Sequence, residues 1–224
     1  MNIIKAEAVS RDFQIGRQNI SALKNIDLEI KEGCLTILKG RSGSGKTTLI
    51  NILGAIDLPS SGHVIIGENS TFSMSEREKN NLRQNFFGYV FQAGALLPNL
   101  TVGENVELPL RLGMLPRQSR TERVEECLIR VDLIKKLEYY PDELSGGELQ
   151  RVGIARAMVK RPKVIFADEP TSSLDYTTGL RIVKLFKELI KDEGITLVMA
   201  THDPKLVPFA NYVYNLKDGE IVNE

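Results

Sequence analysis

Little in the sequence ties it to an oxidising compartment, a membrane or a polyanion. Two cysteines in 224 residues, Cys34 and Cys127, make neither a disulfide framework nor a metal-spaced set, so two idle thiols in a reducing cytoplasm are expected. No stretch approaches the ~18 apolar residues of a membrane span. The opening MNIIKAEAVSRDF lacks the basic segment and long apolar run of a secretory leader, and the chain is expected to be soluble by itself. Its 29 Lys and Arg balance 29 Asp and Glu, leaving no net field to draw it onto nucleic acid or anionic lipid. Partners are then chosen by local surface. Internal repeats and low-complexity linkers are also missing, and 42% hydrophobic residues in a chain of this length suit one large domain.

What is present alternates. The β-branched runs CLTILKG (34–40), KVIFADE (163–169) and ITLVMATHD (195–203) are interleaved with segments of helical period, which predicts an α/β fold with a largely parallel sheet. Earlier, IIKAEAV, NIDLEI and HVIIGE are short runs between turn-type residues, read as antiparallel strands of a small β-layer. From about residue 93 to 160 the strand signal fades and charged stretches such as RQSRTERVEECLIRVDLIKKLE predict a helical insertion.

Phosphate chemistry enters with GRSGSGKT (40–47), which follows the apolar run CLTIL and precedes TLINILGAI. This is the strand, glycine loop and helix that a phosphate cradle requires. Gly43 and Gly45 let successive N–H groups face one anion at the positive end of the following helix. Lys46 adds charge at the β- and γ-phosphates, Thr47 offers a hydroxyl to Mg²⁺, and Gly40, Ser42, Ser44 and Thr48 complete the candidate nucleotide-binding set. VIFADEP (164–170) ends a strand in two carboxylates: Asp168 is placed to hold Mg²⁺ and Glu169 to polarise an attacking water. His202, ending MATHD, is a candidate sensor of the γ-phosphate. Taken singly, a DE pair also reads as a solvated strand end, a lone histidine as structural, and LSGGE (144–148) as a serine N-cap before a tight turn.

In this order the pieces resemble the nucleotide-binding domain of ABC transporters, from the first strand to LKDGEIV (216–222). The resemblance implies a P-loop NTPase fold: a mainly parallel core sheet, an antiparallel β-layer and an inserted helical subdomain. It makes 1–224 a single ATPase domain, with a core of about 1–92 and 161–224 and a helical subdomain of about 93–160. LSGGE matches the family's signature, which in a head-to-tail dimer caps the ATP of the other copy. Ser145 supplies a hydroxyl, Gly146 and Gly147 allow close approach, and a helix to about Lys160 docks by a stripe of Leu149, Val152, Ala155 and Val159. Gln92 in YVFQ resembles the glutamine that contacts Mg²⁺ and links site to transporter. Asp175 in SSLD resembles the aspartate that crosses the dimer interface. Phe13 matches the aromatic that stacks on adenine, or is a core aromatic of an early strand. Arg41, Cys34 and Ser173 depart from the usual proline, glutamate and alanine or asparagine without removing a phosphate, metal or water contact.

GYVFQAGALLPNLTVGENVELPLRLG (88–113) resembles the branch of lipoprotein-releasing, macrolide-exporting and antimicrobial-peptide-resistance ATPases, with the cell-division ATPase beside them. That implies ATP and Mg²⁺ as cofactors and a second copy of the chain as partner. It also implies a separate transmembrane permease docking near Gln92 and residues 93–112, and a cytoplasmic position on the inner face of the membrane through that permease. The apolar loop AGALLPNL instead packs on its own domain if its leucines are buried. Export or extraction of a peptide, lipid-linked or drug-like substrate follows from the branch alone. An ATP-driven regulator or scaffold of a membrane complex remains open beside it. A soluble ABC-type ATPase acting on nucleic acid or ribosomes is disfavoured, since tandem cassettes and a coiled-coil insertion are missing.

Overall fold

The computed structural model describes residues 1–16, 18–112 and 116–222, with the side chains of residues 15 and 93 outside the description; Gly113, the last residue of the branch-like stretch, also lies outside it. Strands β1 (Asn2–Ile15) and β2 (Gln18–Lys31) form an antiparallel hairpin, extended by β4 (Ser61–Ile66) and β5 (Asn69–Ser70) into a four-stranded sheet of order β2-β1-β4-β5. The core sheet contains β3 (Leu35–Lys39), β6 (Phe87–Val90), β7 (Val164–Asp168), β8 (Thr196–Thr201), β9 (Tyr212–Lys217) and β10 (Glu220–Val222), in the order β10-β9-β3-β8-β7-β6. Every pairing in it is parallel except that of β9 with the edge strand β10.

Side chains alternate across this sheet, and the alternation sorts them into two cores. Leu35, Ile37, Ile165, Ala167, Leu197 and Met199 face one cluster, shared with the helices α3 (Val102–Arg111), α4 (Arg117–Arg130), α5 (Gly146–Met158) and α6 (Tyr176–Glu193). Leu38, Val164, Phe166, Val198 and Ala200 face the other, shared with α1 (Lys46–Leu53) and the antiparallel sheet. Strands buried on both faces read as continuous apolar runs, which is why CLTIL and VIFA carry no polar alternation.

The early strands are longer than the short runs that the sequence offers, at 14 residues each. Bulges explain the difference. The buried positions of β1 run Ile3, Ile4, Ala6, then Val9, and those of β2 run Leu23, then Ile26, Leu28, Ile30. The breaks coincide with Ala8 and Asn25 in left-handed backbone and with shifts in register, so a lost period marks a bulge here and not a strand end.

Helix α2 (Glu76–Asn85), capped by Ser75 and Glu78, precedes β6. Helix α3 starts at a second capping box, Thr101 with Glu104, which satisfies donors that a helix start leaves open. Its fully buried Asn105 accepts from Leu97 N and donates to the carbonyls of Leu97, Leu100 and Thr101, pinning the loop in front. Arg123 of α4 donates to the carbonyls of Met158 and Val159 at the end of α5. Val152, Ala155 and Val159 of the expected stripe are buried and Leu149 half-buried. Cys127 is buried and its thiol is pushed up to about 12 by burial, while Cys34 is half-buried.

Candidate functional site

Three neighbouring parallel strands, β3, β8 and β7, end side by side, and their carboxyl ends carry the phosphate loop, His202 and the Asp168-Glu169 pair. This is where open α/β sheets bind ligands. Gly45 is the N-cap of α1, with φ of 102° and no side-chain capping bond, so the first-turn N–H groups are left for an anion. A Cβ at Gly45 would lie 2.7 Å from Ala22 O and 2.8 Å from the Leu23 side chain, so position as well as φ selects glycine.

Lys46 is buried at 6% exposure, its ammonium donating to the carbonyls of Gly40 (2.8 Å) and Arg41 (3.1 Å) and lying 3.3 Å from Glu169 Oε1. Thr47 Oγ1 donates to Asp168 Oδ2 at 2.8 Å. The other Glu169 oxygen, Oε2, lies 2.9 Å from His202 Nδ1. An ionised carboxylate only accepts, so Nδ1 carries the proton and Nε2 is the open nitrogen. Glu169 is thus held by one cation and one imidazole, on backbone of φ 48°, a left-handed conformation unusual for glutamate.

Burial chiefly holds the Asp168 carboxyl above its ordinary range; the Thr47 hydrogen bond opposes this and the neighbouring Glu169 adds to it. Asp168 Oδ1 and Ser44 Oγ are buried without a hydrogen-bond partner, a cost that a bound group relieves. An orphaned carboxylate oxygen beside a threonine hydroxyl is the donor chemistry of a hard cation. Among the described residues no cluster of three His, Cys, Asp or Glu forms a metal cage, and Mg²⁺ typically takes one or two protein ligands with phosphate oxygens and water. The residues present fit Mg²⁺ with a phosphate chain. Gly43, exposed Ser42 and half-buried Thr48 flank this group in the loop and first turn.

Gln92 is exposed at the start of a short 3-10 turn, Gln92–Ala95, and among the described residues no hydrogen bond holds its side chain. Phe13 is half-buried in β1 with the Arg11 guanidinium 4.5 Å from its ring centroid. Ser145, Gly146 and Gly147 are gathered elsewhere, in a polar recess with Ser173, Leu174, Asp175, Thr178 and Arg181; no residue of the phosphate loop lines it. A Cβ at Gly147 would meet Thr178 Cγ2 at 2.5 Å, so glycine there lets α5 close on α6. Asp175 caps α6 by accepting from Thr178 N at 3.1 Å; the Thr178 side chain first, and this backbone bond after it, hold its carboxyl below the ordinary range.

Sequence reasoning missed what surrounds the signature. Glu148 binds Ser145 and Lys136, with the Lys136 bond the chief cause that lowers its carboxyl to about 2; a capping-box spacing, S-x-x-E, was the available signal. Gln150, almost fully buried, donates to Phe91 O at 3.4 Å, and Arg156 donates to Gly94 O and Ala95 O.

The ABC transporter family model matches residues 23–172. The chain is 43% identical over 220 residues to an uncharacterized ABC transporter ATP-binding protein of Methanocaldococcus jannaschii, covering 98% of each. It is 40% identical over 220 residues to the macrolide export ATP-binding/permease protein MacB of Vibrio parahaemolyticus, covering 98% of this chain and 34% of that protein. The ATP-binding cassette MJ0796, also of Methanocaldococcus jannaschii, solved as a dimer in a post-hydrolysis state with ADP and Pi, superposes with a TM-score of 0.91 at 41% identity, over 98% of this chain and 97% of that one.

Proposed function

The chain belongs to the ABC transporter family, and from that premise we propose that two copies close head to tail on two ATP molecules to drive a separate membrane permease. In each site Gly40, Ser42, Gly43, Ser44, Gly45, Lys46, Thr47 and Thr48 of one copy hold the phosphates, with Phe13 on the adenine. Ser145, Gly146 and Gly147 of the other copy close over them, and Asp175 lies at the seam. Thr47 and Asp168, with Gln92 beside them, would hold Mg²⁺, which would supply charge compensation at the phosphates. Glu169 orients the attacking water, and His202 Nε2 reaches the γ-phosphate as a donor when the ring is protonated or released from Glu169.

The observation that carries this reading is the separation of the two half-sites. Glu169 is fixed between Lys46 and His202, while the signature glycines open a recess free of phosphate-loop residues. A head-to-tail pair brings the two together. In this reading about 1–92 and 161–224 form the core and about 93–160 a helical subdomain. The permease docks at a groove lined by Phe87, Tyr89, Phe91, Leu108 and Leu112; within AGALLPNL, Leu96 packs on the domain's own core while Leu97 is 46% exposed, and Leu97 with the 66% exposed Leu112 beyond the loop supports a docking role. Among the described residues no helix is long and apolar enough to cross a membrane, so the permease would hold the chain at the inner membrane face. Similarity to MacB, named for macrolide export, supports export of a drug-like substrate, with a peptide or lipid-linked one following from the branch resemblance.

Replacing Glu169 by Gln should lower ATP turnover about 10²- to 10⁴-fold, the contribution of a positioned base, and trap a closed dimer. A monomer by light scattering at saturating MgATP would overturn the sandwich.

A further inference from the structure

The signature serine already has an acceptor for its one hydroxyl proton. Ser145 Oγ donates to Glu148 Oε2 at 3.0 Å, and Ser145 N donates to the same oxygen at 2.9 Å. Glu148 Oε1 receives Lys136 Nζ at 2.6 Å. Lys136 closes the short turn Ile134–Lys136 that follows α4, and its ammonium lies 5.5 Å from the Tyr139 ring centroid. Both side chains are partly screened from solvent, at 30% and 19% exposure, where a charge pair is stronger than on an open surface.

A hydroxyl has a single proton to give, so Ser145 must exchange Glu148 for a phosphate oxygen if it is to bind one. That exchange brings a phosphate toward a carboxylate. We propose that Lys136 is a positioning residue for dimer closure: by neutralising Glu148 it lets the Ser145 hydroxyl pass to the partner copy's nucleotide without a bare carboxylate repelling the phosphates. The proposal rests on the reading that Ser145 meets the partner's ATP. It gives residue 148 a role beyond the helix cap: the carboxylate presets the serine and the lysine screens the carboxylate.

The test uses the full chain with Glu169→Gln and reads, by light scattering, the MgATP concentration that gives half-maximal dimer. Adding Lys136→Met should raise that midpoint about tenfold at low salt, with the difference shrinking as salt screens the repulsion. Lys136→Arg should leave it near the parent value, and Lys136→Met with Glu148→Gln should restore it, since the amide oxygen still accepts from Ser145 and carries no charge. An unchanged midpoint for Lys136→Met overturns the proposal. So does a defect that is equal at every salt concentration and not relieved by Glu148→Gln, which marks a structural role only. Failure of Glu169→Gln to dimerise, or an unaltered midpoint for Ser145→Ala, overturns the sandwich reading itself and is distinct from both.

Discussion

At the scale of single residues, the site is arranged around charges that the fold does not fully satisfy. Asp168 is the clearest, half-buried with one oxygen orphaned and its carboxyl held above the ordinary range by burial. A carboxyl raised by folding stabilises the fold fully at pH below its unfolded value, and that contribution is lost as pH rises through the folded value. Near neutrality the ionised group is therefore a cost. Asp168→Asn, which keeps an acceptor for Thr47, should raise the melting temperature by a few degrees at about pH 7, with the gain vanishing toward about pH 4. MgATP affinity should fall roughly tenfold in the same variant, and calorimetry with nucleotide titration reads both. Lys46, Thr47, Asp168, Glu169 and His202 were legible in the sequence because each sits at a strand end or a motif position. The two-sided grip on Glu169 was not, because the distance between Lys46 and His202 along the chain hides that both reach one carboxylate.

Among the elements, the segment between β6 and α5 owes its order to a few buried polar contacts as well as to apolar packing. Asn105 holds three carbonyls and one N–H of residues 97–101. Asn105→Ala should cost about 2–4 kcal/mol, the range for orphaning several buried groups, read as a lower urea midpoint with an unchanged slope. Hydrogen exchange at Leu97 N should accelerate with it. The helical period and the S/T-x-x-E boxes made α3 and α5 legible. The α2 helix lies outside the insertion expected from residue 93, because its mostly polar sequence, EREKNNLRQN, carries almost no apolar stripe and only its capping box announces it.

For the whole molecule, the parallel core was legible because its strands are apolar on both faces, whereas the length of the β1-β2 hairpin was obscured by bulges that break the period of two. The proposed docking surface is testable at this scale, since no residue of the phosphate loop lines its groove. Leu97→Asp with Leu112→Asp should leave ATP affinity and melting temperature near wild type, within about 0.5 kcal/mol for exposed positions, yet abolish copurification with a membrane permease. Retained copurification would place the permease elsewhere. Helix α5 joins the two ends of this arrangement. Ser145 is its N-cap, and 13 residues at 1.5 Å each make it about 20 Å long. Along it the Gln92–Ala95 turn is clamped with no room for a methyl group: a Cβ at Gly153 would lie 2.9 Å from Gly94 Cα, and one at Gly94 would lie 2.5 Å from Leu149 O. Gln150 and Arg156 fasten the same turn. The helix and turn therefore have no slack between them, so in the proposed dimer a shift of the serine end carries the turn with it, as a push-rod does.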